Sequence, residues 1–350
     1  MDGVALLAGR VYTDLRDLTG DLAALDGPGT WVVVLPFAGP PVCARFARVA
    51  RAAGAAGAGG VAGVGGPGAA RSLRSPSVWR GPARESWRSS MDAATHAKAV
   101  TTVRELIAAG DVYEVNLCRR LSAPLERGWD VVGLGAALAE RHPAPHAATV
   151  VLPGAGVFVA SASPELFLRR DGDVVESRPI KGTAPSPDGF TAKDRAENVM
   201  IVDLVRNDLG RVCEYGSVEV PALCAPEAHP GLFHLVSTVR GRLRRTAGWA
   251  ELIEATFPPG SVTGAPKLAA LDLIAGLEPV ARGIYCGAIG WVDGHRSQGE
   301  LNVAIRTFWV AEGRLCYGTG GAVTWDSTAA GEWAETELKA SRALAVASPA

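Results

Sequence analysis

The 350-residue sequence has no excess of charge of either sign, since 35 basic side chains face 36 acidic ones. Proteins that bind nucleic acids or charged membrane surfaces usually carry a basic excess, so we expect neither partner. No apolar run reaches the roughly 18 to 20 residues that a membrane helix needs. The first residues, Met1–Val4, lack the basic region of a signal peptide. We therefore expect a cytoplasmic protein that holds anionic ligands through local groups.

Cysteine is sparse, and its number and spacing do not suggest a disulfide scaffold. None of the six cysteines belongs to a C-x-x-C pair. We expect free thiols that are mostly buried. These cysteines are Cys43, Cys118, Cys213, Cys224, Cys286 and Cys316.

The chain has no internal repeat, but its composition divides it into two parts. Residues 52–70 are almost wholly Ala, Gly, Val and Pro, which is typical of a loop. We expect residues 1–85 to form a short N-terminal portion packed into the same fold as the rest. Residues 86–347 then form the main domain.

Helical and strand patterns are mixed without regular βαβ alternation. Thr191 and Asp194 resemble a capping box that begins one helix, and Gly110 is a plausible end of another. Asp171-Gly172 predicts a hairpin turn. These patterns predict an α+β fold with a mostly antiparallel sheet. The predicted helices cover residues 92–109, 192–209 and 332–346, and the strands 157–160, 166–169, 174–178, 284–292, 301–310 and 314–317.

Carboxylates recur at helical spacing in two of these helices. Glu332, Glu335 and Lys339 lie on one face of the last helix, where two carboxylates could hold a divalent cation or form an ordinary surface pair with the lysine. Glu197 lies among apolar residues, where a carboxylate is costly unless it is paired, metal-bound or at the solvent edge. Spacing alone does not decide between these alternatives.

Two glycine-containing segments could carry chemistry. Lys181 stands at a predicted strand end before Gly182 and Thr183, where it could be a nucleophile if its amine were neutral, or a turn lysine in water. The loop 260–267 enters an apolar helical run and could offer N–H groups to an anion or simply connect two elements. It is not a nucleotide-binding P-loop, because the glycine spacing and the Gly-Lys-Ser/Thr ending are absent.

Taken together, ten segments resemble the chorismate-utilising enzymes, in the same order and across residues 92–345. Each segment is weak alone, but ten in order are specific. The segments are GDVYEVNLCRR (110–120), SASPELFL (161–168), ESRPIKGT (176–183), KDRAENVMIVDLVRNDLGRV (193–212), HLVSTVRG (234–241), FPPGSVTGAPK (257–267), YCGAIGW (285–291), AIRT (304–307), YGTGGAV (317–323) and GEWAETELKA (331–340).

The resemblance implies a fold and a set of site residues. The fold would be a sandwich of two large, mostly antiparallel sheets flanked by helices, with residues 86–347 as the chorismate-binding catalytic domain. Glu165 would be the general acid or base. Glu197, Glu332 and Glu335 would bind Mg2+, with Asp194 a further contributor. The implied substrate-binding residues are Thr263, Gly264, Tyr285, Arg306, Gly320, Lys339, His234 and Glu114.

Lys181 points to one branch of this family. The segment Pro-Ile-Lys-Gly-Thr resembles the aminodeoxychorismate-forming branch, whereas the anthranilate-forming branch has alanine at the lysine position. The resemblance implies that the Lys181 amine attacks C2 of chorismate and that ammonia later displaces it at C4. An anthranilate-forming enzyme and a non-catalytic chorismate-binding paralogue are the alternatives.

The sequence departs from the branch at two positions, and it shows no glutaminase. Glu114 replaces a residue that is usually glutamine in the aminating branches and a lysine base in the isochorismate-forming ones. Ser186 replaces a frequent arginine. No glutamine amidotransferase motif is present, so the resemblance implies a separate glutamine amidotransferase subunit as partner, supplying ammonia.

Overall fold

The computed structural model describes residues 3–52, 78–229 and 231–348. The predicted Ala- and Gly-rich loop lies almost wholly outside these described residues. In the described ranges, the helices are α1 Ala93–Ala109, α2 Val131–Arg141, α3 Ala192–Gly210, α4 Trp249–Thr256, α5 Lys267–Leu277 and α6 Ala329–Ala347.

Strands make up the rest of the framework. They are β1 Val4–Leu7, β2 Arg10–Thr19, β3 Thr30–Leu35, β4 Val42–Arg51, β5 Arg88–Ser89, β6 Glu114–Pro124, β7 His146–Leu152, β8 Val157–Ser163, β9 Leu166–Asp171, β10 Val174–Arg178, β11 Ile180–Ala184, β12 Glu219–His229, β13 Leu232–Arg242, β14 Gly264–Ala265, β15 Ala288–Asp293, β16 Gln298–Val303, β17 Thr307–Ala311 and β18 Arg314–Val323.

Every strand pairing in the described ranges is antiparallel, and the pairings form one continuous order. From β6 the order runs through β18, β17, β8, β7, β1, β2, β4, β3, β15, β16, β9, β10 and β13. The short strands β5 and β14 flank β6, and β11 and β12 flank β13. The predicted α+β class with antiparallel strands is confirmed.

The strands of the N-terminal portion lie within this order. β1 pairs with β7, and β3 pairs with β15. Apolar residues of β1 to β4 share one buried cluster with residues of β15 and β16. Strands β1 to β4 therefore supply the link between the two halves of the sheet.

Helices α3 and α6 are the two that carry the predicted carboxylates, and local signals fix where they begin. The Thr191 hydroxyl accepts a hydrogen bond from Asp194 N, and the Asp194 carboxylate accepts one from Thr191 N, which confirms the predicted capping box. Thr328 caps α6. α3 packs on β13 and β11, and α6 packs on β18. Helix α3 therefore lies at the β13 end of the strand order, and α6 lies at the β6 end.

Two predicted strands have wrong boundaries. The predicted strand 301–310 is broken, because β16 ends at Val303 and β17 begins at Thr307. The chain changes partners at this break, from β9 and β15 to β8 and β18. Arg306 turns the corner with φ of 50°. The predicted strand 284–292 begins only at Ala288, after Cys286 with φ of 64°.

All six cysteines are free, as predicted, and five of them are buried. In the described ranges, no helix combines the length and the apolar character needed to cross a membrane.

Candidate active site

The two ends of the strand order meet at an ion pair between Lys181 and Glu114. Lys181 lies on β11, where the pairing with β13 is irregular between Ile180 and Thr183. Glu114 is the first residue of β6. The Lys181 Nζ donates a hydrogen bond to Glu114 Oε1 at 2.7 Å. Lys181 is 8% exposed and Glu114 is 0% exposed, so the pair is shielded from water.

Close backbone packing fixes the position of this lysine. Gly182 has φ of 89°, and a Cβ atom there would lie 2.9 Å from the Cβ of Asp194. A larger residue would therefore push β11 away from the first turn of α3. The Asp194 carboxylate is already occupied by Thr191 N and Oγ1. Asp194 thus caps its helix and packs against β11, with its carboxylate engaged at the helix start.

The electrostatic surroundings of Lys181 favour its charged form in the ligand-free protein. Burial lowers the pKa of Lys181, but the carboxylates of Glu114, Glu197 and Glu165 raise it by more, and the net pKa lies above its usual value. The sequence could not settle which influence wins. The lysine is therefore an ammonium at rest and must lose a proton before it can act as a nucleophile.

Glu165 lies in the connection between β8 and β9, close to this lysine. Its backbone N–H contacts the Ser163 hydroxyl, and its carbonyl accepts from Val303 N. Burial raises the pKa of Glu165 to about 7, although a hydrogen bond from Ser261 and the charge of Lys181 act in the opposite direction. A carboxyl group with this pKa can be protonated near neutral pH, which suits a general acid.

Glu332 and Glu335 on α6 lie beside Gly321 of β18. A Cβ atom at Gly321 would lie 2.8 Å from Glu332 Oε2, so a side chain at this position would displace the carboxylate. Glu332 Oε1 accepts from the Ser327 hydroxyl at 2.6 Å. Its buried Oε2 has no hydrogen-bond partner among the residues that the structure describes. Burial raises the pKa of Glu332, and the nearby charge of Glu335 raises it further.

Two carboxylates of the predicted metal site pair with neighbouring lysines. Glu335 pairs with Lys339 at 2.5 Å, and Glu197 on α3 pairs with Lys193 at 3.6 Å. Burial raises the pKa of Glu197, and the charges of Glu114 and then Glu335 raise it further, which indicates that α3 and α6 face each other here. Across residues 3–52, 78–229 and 231–348, no three His, Cys, Asp or Glu side chains converge as a ready metal site.

The donor chemistry nevertheless fits a hard cation. Carboxylate oxygens are the ligands that Mg2+ takes from proteins, usually one or two together with water. The orphaned oxygen of Glu332 and the mutual repulsion of Glu332 and Glu335 would both be relieved by a cation. Assignment of Glu197, Glu332 and Glu335 to Mg2+ stays a prediction.

Gly264 allows β14 to lie close to the backbone of Glu114, the ion-pair partner of Lys181. β14 pairs with the start of β6, with Ala265 opposite Glu114. Gly264 has φ of 149°, and a Cβ there would lie 2.1 Å from the Glu114 carbonyl oxygen. The Thr263 hydroxyl donates to the backbone carbonyls of Pro259 and Gly260. This hydroxyl is therefore engaged within the loop, while an anion-binding role of the loop backbone stays a prediction.

Gly320 and Lys339 are brought into direct contact. The Lys339 ammonium donates to the Gly320 carbonyl at 3.1 Å while it pairs with Glu335.

Tyr285 lies in surroundings that differ from those of Gly320 and Lys339. Its ring packs against Gly318, and burial followed by the charges of Cys118 and Cys286 raises its pKa well above the usual value. Tyr285 is therefore set among thiols rather than in the carboxylate cluster.

His234 and Arg306 line a separate cavity of about 420 Å³, which reaches Pro164 next to Glu165. His234 Nδ1 shares a hydrogen bond with the Thr183 hydroxyl at 3.0 Å. Its Nε2 is buried and has no hydrogen-bond partner in the described part of the chain. Burial, and then the charge of Arg306, lower the pKa of His234 to about 4. The cavity thus offers a neutral histidine and a cationic guanidinium to an anion.

Sequence reasoning missed several residues of both regions. Arg141, His142, His229 and Arg342 also line the cavity, and they come from three separate elements. The hydrogen bond from Ser261 to Glu165 was missed too, although Ser261 lies inside a matched segment.

Comparison with known proteins identifies the family of the chain. Residues 73–345 match the family described as chorismate binding enzyme. The chain belongs to this chorismate-binding enzyme family. The family predicted from the ten segments is therefore confirmed.

Relatives within the chorismate-binding family carry two different names. The chain is 40% identical to anthranilate synthase component 1 of Streptomyces coelicolor over 276 residues, covering 75% of this chain and 53% of that protein. It is 39% identical to aminodeoxychorismate synthase component 1 of Klebsiella aerogenes over 274 residues, covering 74% and 59%. The Escherichia coli protein of the latter name is 37% identical over 271 residues, covering 74% and 58%. The chain thus spans a little over half the length of these relatives.

Solved structures of similar proteins support the fold. Anthranilate synthase component I of Streptococcus pneumoniae superposes with a TM-score of 0.75 at 23% identity, covering 98% of this chain and 90% of that one. The menaquinone-specific isochorismate synthase of Escherichia coli gives a TM-score of 0.76 at 16% identity, covering 99% and 88%. At these identities the likeness establishes the chorismate-binding fold alone.

Proposed function

We propose that this member of the family aminates chorismate at C4 to give 4-amino-4-deoxychorismate. The observation that carries the proposal is the buried Lys181 ammonium, which is held by Glu114 where two ends of the sheet meet. The overall sequence identity does not distinguish between the two named activities, because the chain is about equally similar to relatives of both names. The choice rests on the chemistry that a lysine at this place can perform.

The chemistry proceeds through two displacements. The free amine of Lys181 attacks C2 of chorismate while the C4 hydroxyl leaves with a proton from Glu165. Ammonia then adds at C4 and expels Lys181, so the new amino group ends at C4. A lysine-bound intermediate therefore directs ammonia to C4, whereas direct attack of ammonia at C2 leads toward anthranilate.

The remaining predicted residues would hold the substrate. Arg306 and His234 would bind a substrate carboxylate from the cationic cavity. The carboxylates Glu197, Glu332 and Glu335 would hold Mg2+, which when bound neutralises and orients the C1 carboxylate of chorismate. Thr263, Gly264, Tyr285, Gly320 and Lys339 complete the proposed set of substrate-binding residues.

A change at the proposed metal site should alter the requirement for Mg2+. Glu335→Gln removes one ligand charge, and we expect the Mg2+ concentration for half-maximal activity to rise about 10-fold. Asp203→Asn on the exposed side of α3 is the matched control, since Asp203 pairs only with Arg206 among the described residues. A Mg2+ titration of both variants checks this, and an unshifted curve for Glu335→Gln would remove Glu335 from the metal site.

A glutaminase partner is part of the proposal. The curated relatives are named as component 1, and this sequence shows no amidotransferase motif. We infer that a second subunit releases ammonia from glutamine. Free ammonium salts should replace that subunit in a purified system.

A product assay tests the proposed function. The purified protein receives chorismate, Mg2+ and ammonium chloride, with or without a purified 4-amino-4-deoxychorismate lyase. We expect p-aminobenzoate by mass spectrometry only when the lyase is present. Anthranilate formed without lyase would instead assign the chain to the anthranilate-forming branch. No turnover, even with a glutaminase partner, would favour a chorismate-binding protein without catalysis.

A further inference from the structure

The Glu114 carboxylate is hydrogen-bonded to Lys181 Nζ, the atom that must react in the proposed amination. Its Oε1 accepts from Lys181 Nζ at 2.7 Å and from Asn116 Nδ2 at 3.2 Å. Its Oε2 is buried and has no hydrogen-bond partner in the residues that the structure describes. A carboxylate that is fully buried with one oxygen unsatisfied is costly to keep charged.

The ion pair can become neutral without any exchange with water. Burial penalises the ammonium and the carboxylate alike, and their mutual attraction is the largest interaction that offsets this cost for the lysine. Moving one proton from Nζ to Glu114 removes both buried charges at once and leaves the net charge of the site unchanged. The free amine and the carboxylic acid remain hydrogen-bonded to each other.

Other charged groups face this pair but do not compete as acceptors. Among the described residues, Glu114 is the only carboxylate within ion-pair distance of the Lys181 ammonium. More distant carboxylates on α3 and in the β8–β9 connection raise the pKa of Lys181, and the charge of Lys181 also reaches a carboxylate on α6. These groups are Glu197 beside Lys193, Glu165, and Glu335 beside Lys339.

We propose that Glu114 is the base that takes the proton from Lys181 and so generates the nucleophile, an inference that rests on the proposed amination. One N–H bond of the Lys181 ammonium breaks, and an O–H bond forms on the Glu114 carboxylate. The electron pair of the broken bond stays on the Lys181 nitrogen. That pair then forms the bond to C2 of chorismate, and the C4–O bond breaks as Glu165 protonates the hydroxyl to water. The new secondary ammonium returns one proton to the Glu165 carboxylate.

The same residue serves the second displacement. Ammonia forms its bond to C4, the bond from C2 to the Lys181 nitrogen breaks, and the Glu114 acid protonates the leaving nitrogen. Glu114 is then a carboxylate again, and the amino product carries the additional proton as an ammonium. Lys181 takes up a proton from solvent to restore the resting pair. A carboxylate where aminating relatives usually have glutamine would thus hold the proton within the site.

The pH dependence of adduct formation tests this role. Wild-type protein and Glu114→Gln are mixed with chorismate without ammonia at about pH 5.5 to 7, and the Lys181 adduct is followed by mass spectrometry. We expect a nearly constant wild-type rate, because the proton moves inside the buried pair. We expect Glu114→Gln to react about 100-fold more slowly at the acid end and to recover about 10-fold per pH unit, since its lysine must lose the proton to solvent.

Glu114→Asp distinguishes proton transfer from positioning. It keeps a carboxylate one methylene shorter, so its rate should fall but should stay nearly independent of pH. A loss for Glu114→Gln that is equal at every pH, or a rate that equals wild type at the acid end, would overturn the inference. Absence of any adduct in the wild-type protein would instead contradict the proposed amination itself.

Discussion

Lys181→Ala is expected to lower C4 amination by at least about 1000-fold, because the route through a lysine-bound intermediate is lost with its nucleophile. Any residual amination should occur at C2, where ammonia can attack directly, and should give anthranilate. The measurement is the yield of both products from chorismate and ammonium chloride in the presence of lyase. Lys98→Ala, on the exposed side of α1, is the control and should keep full activity.

This substitution also leaves Glu114 without its partner. Breaking a buried ion pair from one side costs about 3 kcal/mol or more, so thermal unfolding must show that the variant is folded at the assay temperature. The double variant with Glu114→Gln removes the unpaired charge and should recover stability without recovering C4 amination. Full C4 amination by either variant would exclude Lys181 as the nucleophile.

Glu165→Gln is expected to lower the rate by about 100-fold or more, because glutamine cannot protonate the leaving hydroxyl. The pKa of Glu165 is raised to about 7, so the wild-type residue is mostly protonated below that pH and loses its proton above it. Wild-type activity should therefore fall as pH rises through about 7, and the variant should lack this decrease. Profiles of kcat/KM against pH for both proteins, which report ionisations of the free enzyme, provide the measurement.

A matched loss of charge controls for general electrostatic effects. Glu254→Gln lies on the exposed side of α4 and should keep the wild-type profile. If Glu165→Gln kept the wild-type rate and its decrease above pH 7, Glu165 would not be the acid.

Local signals in the sequence were sufficient to predict several elements. The capping box at Thr191 and Asp194 and the stop at Gly110 are formed as predicted, since both depend on residues three or four positions apart. The hairpin at Asp171-Gly172 follows from turn chemistry alone, and Gly172 adopts φ of 63°. Such features need no knowledge of distant contacts.

Features that depend on strand partners were harder to predict. The apolar pattern over 301–310 reads as one strand, but the chain exchanges its neighbours at Arg306. Hydrophobicity alone does not show this exchange, because both halves are buried. The positive φ of Arg306 is also unusual for a residue with a side chain.

The site itself is a product of the complete strand order. Ten collinear segments led to Glu165, Lys181 and the carboxylates of α3 and α6, and Glu114 was predicted as a substrate-binding residue and a departure from related enzymes, not as the ion-pair partner of Lys181. Its contact with Lys181 joins β6 and β11 across 67 positions of the chain. The cationic cavity likewise combines residues of α2, α6 and the β12–β13 hairpin. No local pattern indicates that these elements converge.

The most direct test of the account is to look for chorismate on Lys181. Wild-type protein is incubated with chorismate and Mg2+ but without ammonia, and the digested peptides are analysed by mass spectrometry. If Lys181 is the nucleophile, a chorismate adduct that has lost water accumulates on Lys181. Added ammonium chloride then discharges this adduct with release of 4-amino-4-deoxychorismate. Formation of 4-amino-4-deoxychorismate while Lys181 stays unmodified throughout would contradict a covalent role of Lys181.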